Sequence, residues 1–409
     1  MLFHGPDSND NHARLSALGR CLFALFLTLV VSGCVGSSSP NIIGVVDTKP
    51  SATREPSITQ HIFFATNRAL SDDPAAFFSG ERAQMLSLGE VDVTIPPTHE
   101  IGQIEKPKNG KPDPSKHFVV KTPTLYENTG RFERDLTAEL KKRPPGKRDV
   151  LLFVHGYNVN FSAAVLRVAQ FANDADFEGV AVLFSWPSRG KTLDYVYDIN
   201  SALGARESME ELAVILGRVP AENYDIVAHS MGTLLTMETL VRIRQQRLDR
   251  NYGRLRQVIL ASPDIDFDLF GEQLSEFDDV KERFYVLVSD DDKALGFSRR
   301  IAGGVSRAGA SDPEKLSALG VNVIDLSQVD DESTGHHTKF ASAPGVVQLI
   351  GRGMQDSGSL SAQSEANVLD EITTEMVRGV TFIPSVLLTG RPPTIGGVGG
   401  QGPASVSPP

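Results

Sequence analysis

The fold is decided by the stretch Tyr224-Asp225-Ile226-Val227-Ala228-His229-Ser230-Met231-Gly232-Thr233. Its first half is a short apolar run that predicts a buried strand, and the apolar-periodic residues after Gly232 predict a helix. A serine in the tight turn between strand and helix is typical of a nucleophile elbow, which lifts the hydroxyl above the sheet. Small residues are needed two positions before and after Ser230, and Ala228 and Gly232 meet this need. The alternative interpretation is a serine that caps the helix N-terminus.

Continuous apolar runs occur on both sides of this stretch along the chain. Because both faces of such a run are apolar, the runs predict strands of a buried parallel sheet, and helical patterns separate them. Three earlier runs lie among turn residues and are typical of an antiparallel edge. The pattern predicts an α/β-hydrolase fold, with a mostly parallel central sheet, antiparallel N-terminal strands and helices on both faces. The parallel runs are 150–154, 180–184, 224–228, 258–260, 284–288 and 321–324, and the early runs are 62–65, 91–95 and 118–120.

The two ends of the chain differ in composition from its middle. Arg14 and Arg20 flank the start of a short apolar run, which ends in Ser32-Gly33-Cys34 and predicts a secretory signal. This ending resembles the bacterial lipobox, so we expect Cys34 to be lipidated and to anchor the protein in the bacterial envelope, at the periplasmic face of the outer membrane. The alternative is an ordinary signal peptide with an incidental cysteine. The expected divisions are a signal peptide (1–33), a flexible tether (34–58), the catalytic domain (59–350), a partly helical extension (351–389) and a disordered Gly/Pro/Ser-rich tail (390–409).

Charge and cysteine content exclude several classes of function. The net charge of −11 argues against a nucleic-acid binder, because a phosphate-binding surface needs an excess of basic residues. The chain has two cysteines, and both fall in the segment that would be removed or lipidated, so we expect no disulfide. Metal-binding spacings of the H-E-x-x-H or C-x-x-C kind are missing from the sequence. We therefore expect neither a metal nor an organic cofactor.

The base and acid of a catalytic triad are sought after the nucleophile, because this fold uses the order Ser, acid, His. Only two histidines follow Ser230, namely His336 and His337, and their spacing leaves the choice open. The acid is expected after the run 284–288, where Asp290, Asp291 and Asp292 are adjacent. Three adjacent aspartates cannot all be buried and charged, so two should be solvated or helix-capping. The rival acids are Asp264 and Asp266, after the run 258–260.

Two backbone amides are expected to form an oxyanion hole. Met231 opens the helix after Ser230, so its N–H and the helix dipole both favour an oxyanion. The second donor is assigned to Tyr157 in the loop after the run 150–154, with Asn158 as the runner-up. His155 is interpreted as a structural hydrogen-bonding residue.

The segment 184–190 follows a buried strand at the edge of the sheet where ligands bind. Here Trp186 is a candidate wall of an acyl pocket or else part of the core. Arg189 is a candidate contact for an anionic head group.

These motifs resemble a bacterial α/β-hydrolase family of unknown function, described as esterase/lipase-like lipoproteins. The resemblance implies that Asp292 is the acid and that His336, which follows Gly335, is the base. The next residues, His337-Thr338-Lys339-Phe340, depart from the family pattern. The substrate of the family is not established, so the resemblance supplies none. The matching stretches are 65–68, 154–158, 184–188, 228–232, 261–266, 292–295 and 335–336, within residues 60–340.

The sequence therefore predicts a serine carboxylester hydrolase with Ser230, Asp292 and His336 as its triad. The expected substrate is an acyl ester, either a small molecule or a lipid, and the expected membrane contact is the lipid on Cys34. The alternatives are an acyltransferase with the same triad and a non-catalytic lipoprotein that uses the fold for interaction. The oligomeric state is left open.

Overall fold

One mixed sheet of eleven strands forms the centre of the computed structural model, which describes residues 40–46, 57–108, 110–246, 252–331, 335–355 and 380–383. Along the sheet the strands have the order β11-β10-β9-β8-β7-β5-β6-β1-β2-β3, and β4 pairs with β2. The strands are β1 (Ile58–Leu70), β2 (Phe78–Ile95), β3 (Val119–Val120), β4 (Thr124–Leu125), β5 (Val150–Val154), β6 (Val180–Ser185), β7 (Tyr224–His229), β8 (Leu255–Ala261), β9 (Phe284–Val288), β10 (Asn322–Asp325) and β11 (Thr381–Ile383).

The directions of the strands confirm the predicted fold class. All pairs from β10 through β9, β8, β7, β5 and β6 to β1 are parallel. Antiparallel pairs join β1 to β2, and β2 to β3 and β4. All six predicted parallel runs form strands, and β1 links the two parts of the sheet by pairing in parallel with β6 and antiparallel with β2.

Helices cover both faces of the sheet, as a sheet that is apolar on both sides requires. Within β5 the side chains of Leu152 and Val154 join one apolar cluster, and those of Leu151 and Phe153 join the other. The first cluster includes α1, α3, α4, α5 and α6, and the second includes α2, α9 and α10. The helices are α1 (Thr129–Lys141), α2 (Phe161–Asp174), α3 (Tyr195–Gly204), α4 (Arg206–Arg218), α5 (Met231–Gln245), α6 (Phe267–Ser275), α7 (Lys293–Ile301), α8 (Pro313–Ser317), α9 (Lys339–Ser342) and α10 (Pro344–Gln355).

The structure corrects two of the predicted divisions. Residues 40–46 fall in the predicted flexible tether, yet Ile42 and Ile43 are buried, and the Ile43 amide donates to the Ala75 carbonyl at 2.9 Å. Their apolar side chains have a place in the core, so this part of the chain is packed. At the other end α10 continues to Gln355, and β11 from the predicted extension pairs with β10.

Other predicted segments lie outside the described residues. These are the signal peptide (1–33), the lipidation site Cys34, the possible helix at 368–377 and the tail (390–409). Among the residues that the structure does describe, no helix combines the length and the apolar character needed to cross a bilayer.

Candidate active site

Ser230 occupies a strained turn between β7 and α5, in the middle of the parallel part of the sheet. Its backbone angles are φ 52° and ψ −125°, a region that non-glycine residues adopt only when the surrounding structure enforces it. Its amide donates to the Ala261 carbonyl of β8 at 2.9 Å, which fixes the turn against the neighbouring strand. The hydroxyl makes no helix-capping hydrogen bond. This geometry is that of a nucleophile elbow and not of a helix cap.

Two glycines are required for the chain to pass so close to Ser230. A Cβ added to Gly156, in the loop after β5, would lie 2.9 Å from the Cβ of Ser230 and 2.8 Å from Nδ1 of His229. A Cβ added to Gly232 would lie 2.3 Å from the carbonyl oxygen of His155. The loop after β5 and the elbow are therefore in direct contact.

The backbone amides near the Ser230 hydroxyl suit the predicted oxyanion hole. Met231 is the first residue of α5, so its N–H has no acceptor within the helix. Within the described residues the amide of Tyr157 donates no hydrogen bond, whereas that of Asn158 donates to Asp198 Oδ2 at 3.3 Å. Of the two candidates in this loop, Tyr157 thus has the available donor.

A buried arginine, Arg68, holds the loop after β5 in place. Arg68 is 1 % exposed, and its Nη2 donates to the Val159 carbonyl at 2.8 Å and lies 3.2 Å from Nε2 of His155. Its Nη1 donates to the Ser188 carbonyl at 2.8 Å, and its Nε to Ser185 Oγ at 2.9 Å. Burial lowers the pKa of Arg68 to about 9, so the guanidinium remains charged at neutral pH.

Asp198 of α3 is the buried carboxylate that complements Arg68. It accepts from the Asn158 and Arg189 amides at 3.3 and 3.0 Å and from the Ser188 hydroxyl at 2.5 Å. Burial raises the pKa of Asp198, and these hydrogen bonds with the charge of Arg68 oppose that rise. The loop after β5 is therefore attached to β1, β6 and α3 by buried polar contacts.

His155 in the same loop is neutral and structural, as the sequence predicts. Burial and the neighbouring Arg68 charge lower the pKa of His155 to about 3. Its Nδ1–H donates to the Gly156 carbonyl at 2.9 Å, so Nε2 is the acceptor that faces Arg68.

His337, and not His336, contacts the predicted acid. Nδ1 of His337 lies 2.6 Å from Oδ2 of Asp292. The other oxygen of Asp292 accepts the amides of Ala294 and Leu295 at 2.9 and 3.0 Å and thereby caps α7. The predicted pairing of Asp292 with His336 is wrong.

The turn before His337 explains this correction. Gly335 and His336 have positive φ angles of 107° and 59°, which reverse the chain between the two histidines. The His336 ring is directed at Asp331, with Nδ1 2.7 Å from Oδ1, and lies 3.9 Å from Asp291. Adjacent residues thus face different carboxylates, a distinction that residue spacing does not reveal.

The environment of His337 favours a charged imidazole. Burial alone would lower the pKa of His337, but the charge and hydrogen bond of Asp292, with the charge of Asp264, raise it above the ordinary value. Such a pairing also fixes the tautomer, with the proton on Nδ1 and the lone pair on Nε2. Within the described residues neither Nε2 of His337 nor the Ser230 hydroxyl makes a hydrogen bond, and such catalytic bonds are often long before substrate binds.

His229 supports the backbone of His337. Burial and neighbouring positive charges lower the pKa of His229 well below its ordinary value, so its ring is neutral. Its Nε2–H donates to the His337 carbonyl at 2.9 Å, and the two ring centroids are 4.6 Å apart. Because His229 directly precedes Ser230, this contact connects the turn at Ser230 to the loop that carries His336 and His337.

The three adjacent aspartates have different roles, in line with the sequence argument. Asp290 is exposed, and Asp291 pairs with Lys339, a lysine only 2 % exposed. Nζ of Lys339 donates to both oxygens of Asp291 at 2.8 and 2.9 Å and to the Leu326 carbonyl at 2.9 Å. Lys339 therefore connects the loop that carries the three aspartates to the end of β10.

The rival acids are engaged elsewhere. Asp264 accepts from the Tyr195 hydroxyl at 2.8 Å and pairs with Arg307, while Asp266 caps α6. Neither forms a hydrogen bond with His337 in the described structure, in contrast to Asp292.

The two predicted substrate contacts have different outcomes. Trp186 is fully buried, donates its indole N–H to the His155 carbonyl at 2.7 Å and stacks on the His155 ring. Trp186 is a core residue, so its predicted role as a pocket wall is wrong. Arg189 is partly exposed and already pairs with Glu81 and Asp194, and its contact with an anionic head group stays a prediction.

Sequence reasoning missed Asp198, Arg307 and Lys339 and gave Arg68 no role. The available signal for Arg68 was the polar pair Asn67-Arg68 that follows the apolar run 62–65 in a predicted strand. No group of three or more His, Cys, Asp or Glu side chains suited to a metal occurs among the described residues.

Comparison with known proteins identifies a family. The family model described as "Alpha/beta hydrolase of unknown function (DUF900)" matches residues 128–353. This range includes the elbow at Ser230 and the loop that carries His336 and His337. No curated protein matches the chain.

Solved structures similar to this one include esterases and a phospholipase. An esterase from the archaeon Pyrobaculum calidifontis is 12 % identical, with a TM-score of 0.30, over 56 % of this chain and 92 % of its own. The phospholipase PlaB from Legionella pneumophila, solved with thio-NAD, is 13 % identical, with a TM-score of 0.32, over 58 % and 67 %. An esterase from Rhizomucor miehei is 14 % identical, with a TM-score of 0.27, over 78 % and 83 %.

Proposed function

Because this chain belongs to an α/β-hydrolase family of unknown function, we propose that it is a serine hydrolase that cleaves an acyl ester through an acyl-enzyme. The observation that carries the proposal is the strained Ser230 elbow together with a 2.6 Å contact between the partly exposed His337 imidazole and the buried Asp292 carboxylate. Nucleophile, base and orienting carboxylate occur in the chain order that this fold uses. A purely structural elbow would not need an imidazole held by a buried carboxylate.

In the proposed mechanism Ser230 is the nucleophile, and His337 acts in turn as base and as acid. Nε2 of His337 takes the proton of the Ser230 hydroxyl while Oγ attacks the ester carbonyl, and Asp292 holds the imidazolium. The Met231 and Tyr157 amides donate to the oxyanion. The protonated His337 then gives its proton to the leaving alcohol, and the acyl group remains on Ser230. Water then gives a proton to His337 as it attacks the acyl-enzyme, and His337 passes that proton to the departing Ser230 oxygen as the acid is released.

The proposal includes the location of the enzyme. We infer from the signal-like segment before Cys34 that the mature protein carries lipid on this residue and acts on a small or lipid ester at the bacterial envelope. Metabolic labelling with an alkyne fatty acid tests this part: the label should be lost in Cys34→Ser and kept in Cys21→Ser. Label that persists in Cys34→Ser would contradict lipidation.

Labelling with a fluorophosphonate probe tests the catalytic part. The full chain should be labelled, and Ser230→Ala should remove the label. Ser262→Ala is the matched control, because Ser262 also follows a parallel strand and has a positive φ of 47°. Equal labelling of the Ser230→Ala protein would rule out Ser230 as the nucleophile.

A panel of p-nitrophenyl esters of increasing acyl length then measures turnover. Hydrolysis that is lost in Ser230→Ala supports the ester hydrolase. A labelled enzyme that transfers acyl groups to an added acceptor, without hydrolysing any ester of the panel, would contradict it in favour of an acyltransferase.

A further inference from the structure

Arg307 is a buried arginine beside the nucleophile turn that the proposed mechanism does not use. It is 9 % exposed, its Nε donates to Ser298 Oγ at 3.0 Å, and the same nitrogen is 3.2 Å from Oδ1 of Asp264. The chain around it is fixed as well, since the Ala308 amide donates to the Ile265 carbonyl at 2.9 Å. One side of the guanidinium is therefore held firmly.

This cluster is continuous with the candidate active site. The Asp264 amide is 3.4 Å from the Ser230 carbonyl oxygen, and the Asp264 carboxylate accepts from the Tyr195 hydroxyl. The Tyr195 ring packs edge-to-face on Tyr157, with centroids 5.1 Å apart, and Tyr157 supplies the proposed oxyanion donor. The charge of Asp264 also contributes to the raised pKa of His337. Arg307 thus belongs to a series of contacts that connects Ser230, through Asp264 and Tyr195, to Tyr157.

The other side of the guanidinium has no partner among the residues that the structure describes. Neither Nη1 nor Nη2 of Arg307 donates a hydrogen bond to any residue that the structure describes. An atom without a partner is either enclosed by the protein or accessible from outside, and Nη1 and Nη2 of Arg307 are not enclosed. Both nitrogens are therefore accessible. By contrast, all three nitrogens of the buried Arg68 have acceptors. A nearly buried arginine with open terminal nitrogens is suited to a ligand.

We infer that the Nη1/Nη2 edge of Arg307 binds an anionic oxygen group, a carboxylate or a phosphate, carried by the ester that Ser230 attacks. The inference rests on the proposed serine-hydrolase function and names its substrate class. A guanidinium binds such groups through two parallel hydrogen bonds, which are stronger than neutral ones. Asp264 and Ser298 hold the Nε side, so the arginine is oriented before the ligand arrives and little side-chain freedom is lost on binding.

The test measures how fast Ser230 is labelled by three alkyl fluorophosphonates of equal length, which end in a methyl group, a carboxylate or a phosphate. A series of chain lengths is used for each end group. The wild-type full chain should react at least about tenfold faster with one of the anionic probes than with the methyl probe, as expected for hydrogen bonds to a charged group. The faster of the two anionic probes identifies the end group that is recognised.

Variants then assign this preference to Arg307. Arg307→Gln should lose the preference, measured as the ratio of the anionic-probe rate to the methyl-probe rate within the same protein, and Arg307→Lys should keep part of it because the charge remains. Arg300→Gln, an exposed arginine in the neighbouring helix α7, is the matched control and should behave like wild type. If Arg307→Gln unfolds, the double variant Asp264→Asn/Arg307→Gln removes both charges of the pair and serves in its place.

The outcomes separate this inference from the proposed function. Equal rates for all three probes in the wild type, or an anionic preference that survives in Arg307→Gln, would overturn the role of Arg307 and leave the serine hydrolase intact. Failure of every probe to label Ser230 would contradict the proposed function, and the inference would fall with it.

Discussion

Two loops contact the turn formed by His229 and Ser230, and they are held in different ways. The β5 loop (residues 155–160) is anchored by Arg68 and Asp198, both at least 99 % buried. The β10 loop, described at residues 326–331 and 335–338, is anchored by Lys339 and by histidines that face carboxylates. The side chains of Asp291 and His336 in this second set are about one third exposed to solvent.

This difference matches the proposed tasks of the loops. Oxyanion donors must be fixed before charge develops, because reorganisation during the reaction would cost free energy. A base must instead gain and lose a proton near the working pH. We therefore expect the β5 loop to contribute rigidity and the β10 loop to contribute the pH dependence.

The largest effect should distinguish the two neighbouring histidines of the β10 loop. His337→Gln removes the proposed base, so kcat should fall by about 10³-fold or more, on the scale seen when a triad member is removed. His336→Gln is the matched control and removes the contacts of the partly exposed His336 ring with Asp331 and Asp291. Its kcat should stay within about tenfold of the wild type, since His336 faces Asp331 and makes no hydrogen bond to Asp292 in the described structure.

Steady-state kinetics and fluorophosphonate labelling check this prediction on the two variants side by side. A His336→Gln enzyme that is as inactive as His337→Gln would mean that the Asp292 contact does not identify the base.

The next effect compares the anchors of the two loops. Arg68→Met leaves the Val159 and Ser188 carbonyls without their donor and Asp198 without its counter-charge. The free energy of unfolding should fall by about 3–5 kcal/mol, because two buried carbonyls lose their donor at about 1–3 kcal/mol each. Lys339→Met should cost less, about 1–3 kcal/mol, because its partner Asp291 can be solvated when the lysine is removed.

Urea denaturation measures both values, and Arg189→Met, a partly exposed ion-paired arginine, gives the surface reference of at most about 1 kcal/mol. If Lys339→Met proves as destabilising as Arg68→Met, the two loops do not differ in the way proposed here.

The elbow and the sheet could be predicted from sequence because local patterns determine them. Continuous apolar runs identify parallel strands, and a serine followed by Met231-Gly232 at the start of a helix identifies the turn. Asp292 was assigned as the acid through the resemblance to the family, and the structure places its carboxylate 2.6 Å from His337. Local pattern is sufficient wherever one element or one turn fixes the residue.

The choice between His336 and His337 could not be made in this way. It depends on the positive φ of His336 and on Asp331, and neither is visible in the spacing of histidines. The choice between pocket wall and core for Trp186 could not be made from sequence for a similar reason, because its burial depends on stacking against His155 from another strand end. Arg68 and Asp198 are 130 positions apart in sequence numbering, and only the folded sheet brings them to the same loop.

The smallest and most diagnostic effect is the dependence on pH. The folded state raises the pKa of His337 above its unfolded value of about 6.5, so kcat/KM should rise with pH through a midpoint above 6.5 as the base loses its proton. The stability from this group has the opposite sign: it is fully present below the unfolded pKa and is lost as pH rises through the folded pKa. Activity and the His337 contribution to stability should therefore change in opposite directions over the same interval.

Asp292→Asn is the variant that sharpens this test. It removes the charge that raises the pKa of His337, so the surviving activity should show a midpoint at lower pH, and the pH-dependent part of stability should shrink in the same interval. His336→Gln should leave both midpoints in place, because His336 faces Asp331. The opposite result, a kcat/KM midpoint that moves in His336→Gln but not in Asp292→Asn, would identify His336 as the titrating base. The pH dependence of kcat/KM would then not arise from the His337–Asp292 pair.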